Sequence, residues 1–140
     1  MQFHGSCAAR DGAGVLLLGG SGVGKSDLTL RLLDRGFELV ADDRVDVEDG
    51  MARPPAALAG LLEVRGLGLL RLPYLAVAQL RLVAQLGVKA DRLPLPSRFA
   101  PLDLPQISLD AMLASAAQRI ALALDLALGI RVQPVGAFAP

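Results

Sequence analysis

Apolar residues come in short runs along the first half of the chain, each closed by a glycine-rich or charged break. Phe3 to Ala9 reads as a strand, turned by Arg10-Asp11-Gly12. Val15 to Leu18 reads as a short buried strand. From Lys25 to Arg35, leucines at 28, 30, 32 and 33 sit among polar residues and predict a helix. Gly36 stops it, because glycine tolerates positive φ. Phe37 to Ala41 predicts the next strand, Asp46 to Gly50 a turn, and Arg53-Pro54-Pro55 an interruption of regular structure. Leu61 to Leu72 is apolar but carries Gly66 and Gly68, so it reads as strand and loop. Ala78 to Leu86 alternates apolar with polar and predicts a half-buried strand. The proline-rich stretch from Leu93 to Pro105 predicts an extended connector. Ser108 is placed to cap a long Ala/Leu-rich helix from about Leu109 to Leu128, stopped by Gly129. The tail from Gln133 is expected to fray. Alternating strand and helix signals imply an α/β class, with one domain over residues 1–132 and a tail over 133–140.

Composition narrows this picture. The 140 residues are 53% hydrophobic and only 4% aromatic, so the core is built from Leu, Val and Ala. Formal net charge is zero, which argues against nucleic acid as a partner, since such proteins usually carry a basic excess. No apolar run approaches the ~20 residues that span a bilayer. The longest, Ile120 to Ile130, contains Asp125 and Gly129. No basic-then-apolar export signal opens the chain. The single Cys7 permits no internal disulfide and no cysteine-based zinc site. These features imply a reducing, cytoplasmic setting without membrane association.

The chemistry begins at Leu16. Gly19, Gly20, Ser21, Gly22, Val23, Gly24, Lys25 and Ser26 fit G-x-x-x-x-G-K-[ST] in full, with an apolar strand before and a helix after. Glycines let backbone N–H groups converge on phosphate oxygens, and the following helix adds its free N–H groups and positive dipole end. Lys25 is suited to neutralise β/γ-phosphate charge, and Ser26 to place a hydroxyl on Mg²⁺. A glycine-rich turn that binds nothing is the alternative; the complete pattern and both flanks favour the phosphate loop. The loop alone names no reaction, because switches, motors, transporters and kinases all use it.

In "ELVADDRVDV", Asp42 and Asp43 fall at the end of the strand after the loop helix, where ligands of such sheets bind. Adjacent strand residues point to opposite faces, so both acids serve one site only if the strand ends there. One acid would then orient Mg²⁺ water while the other accepts a proton from an attacking hydroxyl. Taken alone, His4 reads as structural or surface. Glu63 lies in an apolar run, where a carboxylate is costly unless paired or on a metal. Arg65 would face the same side and is its candidate partner. Cys7 reads as core, and the leucine stripe of the last helix as core or subunit interface.

These segments together resemble the C-terminal catalytic domain of HPr kinase/phosphorylase. The matching blocks are His4-Gly5, the loop from Gly19 to Ser26, Arg35-Gly36 with Leu39 through Val45, and "LLEVRGLGLL" from Leu61 to Leu70. "ADRL" from Ala90 to Leu93 is a weaker match. The resemblance implies a phosphate-loop kinase domain with a mixed central sheet, similar to the phosphoenolpyruvate carboxykinase nucleotide-binding core. It implies ATP-dependent phosphorylation of a serine on HPr, the carrier protein of the sugar phosphotransferase system. Asp43 becomes the proton acceptor, with His4, Lys25 and Arg92 as catalytic partners. Ser26 and Glu63 become the Mg²⁺ ligands. The chain opens at the His-Gly strand, so a short form without the family's N-terminal domain is expected. The family's basic Gly-Arg-Asn segment, tied to dephosphorylation, has no counterpart in Phe99 to Ala111. This places phosphorylase activity and the family's hexameric assembly in doubt more than the kinase. Two other readings stay open: a small-molecule phosphate-loop kinase, and a non-catalytic ATP-binding sensor acting through its apolar C-terminal helix.

Overall fold

The computed structural model describes residues 1–140. In chain order the elements are β1 (Gln2–Phe3), β2 (Gly5–Arg10), β3 (Ala13–Leu18), α1 (Lys25–Leu33), β4 (Glu38–Ala41), β5 (Val45–Glu48) and β6 (Met51–Arg53). There follow β7 (Leu61–Val64), β8 (Gly68–Arg71), β9 (Ala78–Leu86), β10 (Arg98–Phe99), β11 (Leu104–Leu109) and α2 (Ala116–Ala127). Nine strands form one mixed sheet, ordered β1-β5-β6-β9-β3-β2-β4, with β11 also paired to β9 and β10 to β11. The β7–β8 hairpin stands apart from it. No helix is long and apolar enough to cross a membrane.

Two apolar layers sandwich the sheet. On one face Val15, Leu17, Leu82 and Ala84 pack against Leu28 and Leu32 of α1 and Ile120 and Leu124 of α2. On the other face Leu16, Cys7, Val40, Val45, Val47 and Val83 form a second cluster. Alternation along each strand sends successive side chains to opposite faces, which is why β3 is apolar at every position from Val15 to Leu18. Cys7 is fully buried, and burial pushes its thiol up to about 12, so it remains a protonated core residue.

Several expected elements differ, each for a tertiary reason. The first strand breaks at His4, where the chain leaves its pairing with β5 and joins β3 and β4. Asp46 to Glu48 is strand, not turn, because Val45 and Val47 bury their side chains; only Asp49-Gly50 turns. The alternation in β9 is not that of a half-buried strand. Gly14 pairs with Leu80 but Val15 with Leu82, so Arg81 is an extra residue. That bulge switches faces: Ala78 and Leu80 join one core layer, Leu82, Ala84 and Leu86 the other. The largest revision is at Ser108, which caps no helix. Gln106 to Leu109 instead pairs parallel with Val83 to Leu86, and the helix begins only at Ala116. Pairing with a central strand outweighs local helix propensity there. The tail is not loose, for Phe138 packs on the first core layer and donates its N–H to Gln133 Oε1 at 2.7 Å.

The topology gathers one edge. β3, β4, β9 and β11 run the same way, so their carboxyl ends and the start of β2 share that edge. The loop after β3 lies tightly across the end of β9. A β-carbon on Gly19 would stand 2.7 Å from Val23 Cγ2 and 2.9 Å from the Leu86 carbonyl oxygen. At the opposite edge Asp125 of α2 accepts from Arg131 Nε at 2.8 Å and from Arg10 Nη2 at 2.5 Å, tying the helix to the turn after it and to β2.

Two outcomes follow from this packing. Gly19→Ala is expected to destabilise by about 1–3 kcal/mol through overpacking against fixed backbone, whereas Gly20→Ala, whose β-carbon meets nothing within 4 Å, is expected to leave the denaturation midpoint unchanged. Equal midpoints for the two variants would contradict the described loop packing. Asp125 is held below its ordinary value of 3.8 by the Arg131 hydrogen bond, against the opposing effect of burial and with further help from Arg10. A depressed folded value means stability present above the unfolded value and lost as pH falls through the folded one. The wild-type midpoint should therefore fall as pH drops below about 4, and Asp125→Asn should show a shallower fall when the two are titrated in parallel.

Candidate active site

A cleft of about 510 Å³ opens on the gathered edge. Its walls carry His4, Lys25, Ser26, Asp42, Asp43 and Glu63. Sequence positions as far apart as His4 and Met112 thus meet on this edge.

The loop from Gly19 to Ser26 forms the floor. Gly24 caps α1 with φ 98°, a left-handed conformation that disfavours any side chain. This turn aims the first N–H groups of α1 into the cleft, where the helix dipole favours an anion. Lys25 is 92% buried by its neighbours, and its Nζ donates to the carbonyls of Gly19 at 2.8 Å and Gly20 at 2.9 Å. The ammonium is therefore held over the loop by the loop's own carbonyls.

The acid pair is placed by a kink. β4 ends at Ala41, and Asp43 has φ 70° while Arg44 N–H donates back to the Asp42 carbonyl at 2.8 Å. A non-glycine residue at positive φ is uncommon and costs energy, though Asp tolerates it better than most. The kink turns two consecutive acids toward one cleft, which a continuing strand would forbid.

Asp42 is buried. Its Oδ1 accepts from Ser6 Oγ at 2.7 Å and from Ser26 Oγ at 2.8 Å, and its Oδ2 accepts from Glu63 N–H at 3.3 Å. All three donors are neutral, so the carboxylate is hydrogen-bonded but its charge is not compensated by any side chain. Asp43, by contrast, is exposed. His4 Nε2 lies 3.3 Å from its Oδ1, and Arg44 Nη1 lies 3.8 Å away. Gly5 N–H donates to the Asp43 carbonyl at 3.2 Å, fixing the His4 strand end beside the acid.

Glu63 presents its side chain to the cleft from β7, with its backbone tethered to Asp42. Arg65 lines the same cleft, and the pairing expected between them as an alternative does not form; the ion pairs there are those of Asp43. Arg92 does not line the cleft. It stands exposed on the segment after β9, outside the walls. Sequence reasoning left the role of Asp42 open and missed Ser6, although a hydroxyl two residues after His4 on one strand was a readable signal. Met112, which also lines the cleft, carried none.

Residues 1–77 match the family model described as HPr Serine kinase C-terminal domain. The HPr kinase/phosphorylase of Cupriavidus metallidurans is 45% identical over 115 residues, covering 71% of this chain and 36% of the relative. That of Clostridium novyi is 45% identical over 78 residues, covering 53% of this chain and 25% of the relative. The chain thus spans about a quarter to a third of the length of these curated relatives. The solved structure of an Hpr(Ser) kinase/phosphatase from Coxiella burnetii superposes with a TM-score of 0.74 at 25% identity, covering 93% of this chain and 98% of that one. With more than half its length matched by the family model, and its mixed α/β sheet shared with that structure, this chain belongs to the HPr serine kinase C-terminal domain family.

Proposed function

We propose that this chain is a Mg²⁺- and ATP-dependent protein serine kinase acting on HPr, with a nucleotide-binding core of the phosphoenolpyruvate carboxykinase kind. The observation that carries the reading is the joining of loop and acids: Ser26 of the phosphate loop hydrogen-bonds Asp42 while Asp43 and His4 face the same cleft. The names of the relatives, HPr kinase/phosphorylase, support the choice of acceptor. Residues 1–132 form the catalytic unit in this reading, with residues 133–140 as a tail packed upon it.

The residues suit the groups they would hold. Ser26 Oγ keeps its lone pairs free while donating to the Asp42 carboxylate, and Glu63 lines the same cleft. Oxygen ligands from one or two carboxylates, completed by phosphates and water, are what Mg²⁺ prefers. Bound ATP supplies the phosphoryl group, and Mg²⁺ neutralises the charge that builds on the leaving diphosphate. The chain's own part is positioning and electrostatics. The loop N–H groups and Lys25 hold the β/γ-phosphates. Asp43 takes the proton of the seryl hydroxyl as its oxygen bonds to phosphorus, and His4 orients that carboxylate. Arg92 joins the site in this reading only when the segment after β9 moves inward against a docked acceptor.

Phosphorolysis runs against the charge of the site. Seating phosphate beside phosphoserine brings like charges together, and at about 4 Å they repel by about 4 kcal/mol at an effective dielectric near 20. Arg98, the cation nearest the divergent segment, is engaged by Asp103 at 2.8 Å and lies outside the cleft walls.

Two measurements test these assignments. Asp43→Asn should slow transfer about 10²- to 10⁴-fold with little change in ATP affinity, whereas Glu63→Gln should raise the Mg²⁺ concentration for half-maximal activity. Loss of ATP affinity in Asp43→Asn would reassign that acid to binding, and unchanged metal dependence in Glu63→Gln would remove Glu63 from the metal site. Separately, seryl-phosphorylated HPr incubated with excess inorganic phosphate and no ATP should release pyrophosphate far more slowly than the forward reaction runs. Comparable rates would overturn the charge argument.

A further inference from the structure

The cleft is mostly polar, and only three of its 15 lining residues are hydrophobic: Leu30, Val64 and Met112. Their positions differ in kind. Val64 belongs to β7, beside Glu63 and Arg65, and Leu30 lies one turn of α1 beyond Ser26, whose hydroxyl meets Asp42. Both therefore stand on the side of the catalytic acids. Met112 follows β11, across the loop from them. The strand order makes this explicit, for β4 with its acids lies on one side of β3, beyond β2, while β9 and β11 lie on the other.

Met112 combines exposure with a fixed backbone. Its side chain is 67% exposed, which is costly for a methionine with no partner. Its N–H donates to Asp110 Oδ1 at 2.9 Å. The carbonyls on either side, of Ala111 and Leu113, both accept from the Arg31 guanidinium, which is itself anchored by Asp27 at 3.0 Å. The segment is thus pinned to α1. The methionine tip reaches the loop, since a β-carbon on Gly24 would stand 3.5 Å from Met112 Cε.

We propose that Met112 is the platform for the nucleotide base. This inference rests on the phosphate-loop reading above. If the terminal phosphate lies toward Ser26 and Asp42, the nucleotide must cross the N-terminus of α1 and leave toward β9 and β11. The only apolar lining residue on that side is Met112. A thioether is polarisable and packs well on an aromatic face or edge, with no directional hydrogen bond. Such a platform grips a purine without reading its edge, so adenine and guanine nucleotides bind alike.

Calorimetry with two probes separates base from phosphate. Mg-ATP reaches both the loop and the platform; Mg-tripolyphosphate reaches the loop alone. Met112→Ala should weaken Mg-ATP, and Mg-GTP equally, by about 3- to 10-fold, leave Mg-tripolyphosphate unchanged, and keep the wild-type melting temperature. Met112→Leu should recover most of the loss. If Met112→Ala weakens tripolyphosphate as much as ATP, the residue supports the loop and the proposal fails. If it weakens neither, or if wild type prefers ATP over GTP by more than the loss itself, the base lies elsewhere. Wild-type protein that binds neither ATP nor tripolyphosphate would overturn the phosphate-loop reading itself, and the platform with it.

Discussion

One buried carboxylate organises the cleft. Asp42 accepts hydrogen bonds from Ser6 on β2, Ser26 on α1 and the Glu63 N–H on β7, so three elements converge on the end of β4. A buried acid without such donors would be costly. With them it ties the end of the Gly19–Ser26 loop and the β7–β8 hairpin to the end of β4. Its partners are all neutral hydroxyl and amide donors, and no cationic side chain pairs with it. That arrangement suits the divalent cation of the proposed function.

The next residue does the opposite work. Asp43 is exposed, sits at positive φ, and faces His4 rather than a hydroxyl. The backbone strain at this position is what lets neighbouring acids share a cleft while meeting different surroundings. Around them the sheet acts as a rigid frame. Four strands point their carboxyl ends at one edge, and two apolar layers hold those strands in register. The site therefore borrows its precision from the core rather than from its own loops.

Much of this was legible in the sequence. The strand, glycine-rich loop and helix from Val15 to Leu33, and the strand carrying the acids, were all written in short-range patterns. So was the family, through His4-Gly5 and the stretch from Leu61 to Leu70. What escaped was decided by tertiary partners. Ser108 has the chemistry of a helix cap, yet a parallel ladder with β9 claims it. The alternation from Ala78 to Leu86 hides a bulge that no local pattern marks, because the residues on either side of it, Leu80 and Leu82, are both apolar and buried though they face opposite layers. Whether Asp42 and Asp43 diverge or cooperate depends on one dihedral angle. Arg92 was carried by resemblance alone, and the segment that bears it lies outside the cleft walls.

The most direct measurement is of the phosphate's destination. The chain, purified HPr and Mg-ATP are incubated together, and phosphorylated peptides of HPr are located by mass spectrometry, with Lys25→Ala as the matched control. Phosphate on one HPr serine, lost in a folded Lys25→Ala protein, is the expected result. ATP bound without transfer to HPr, or transfer that persists undiminished in the Lys25→Ala protein, would contradict it.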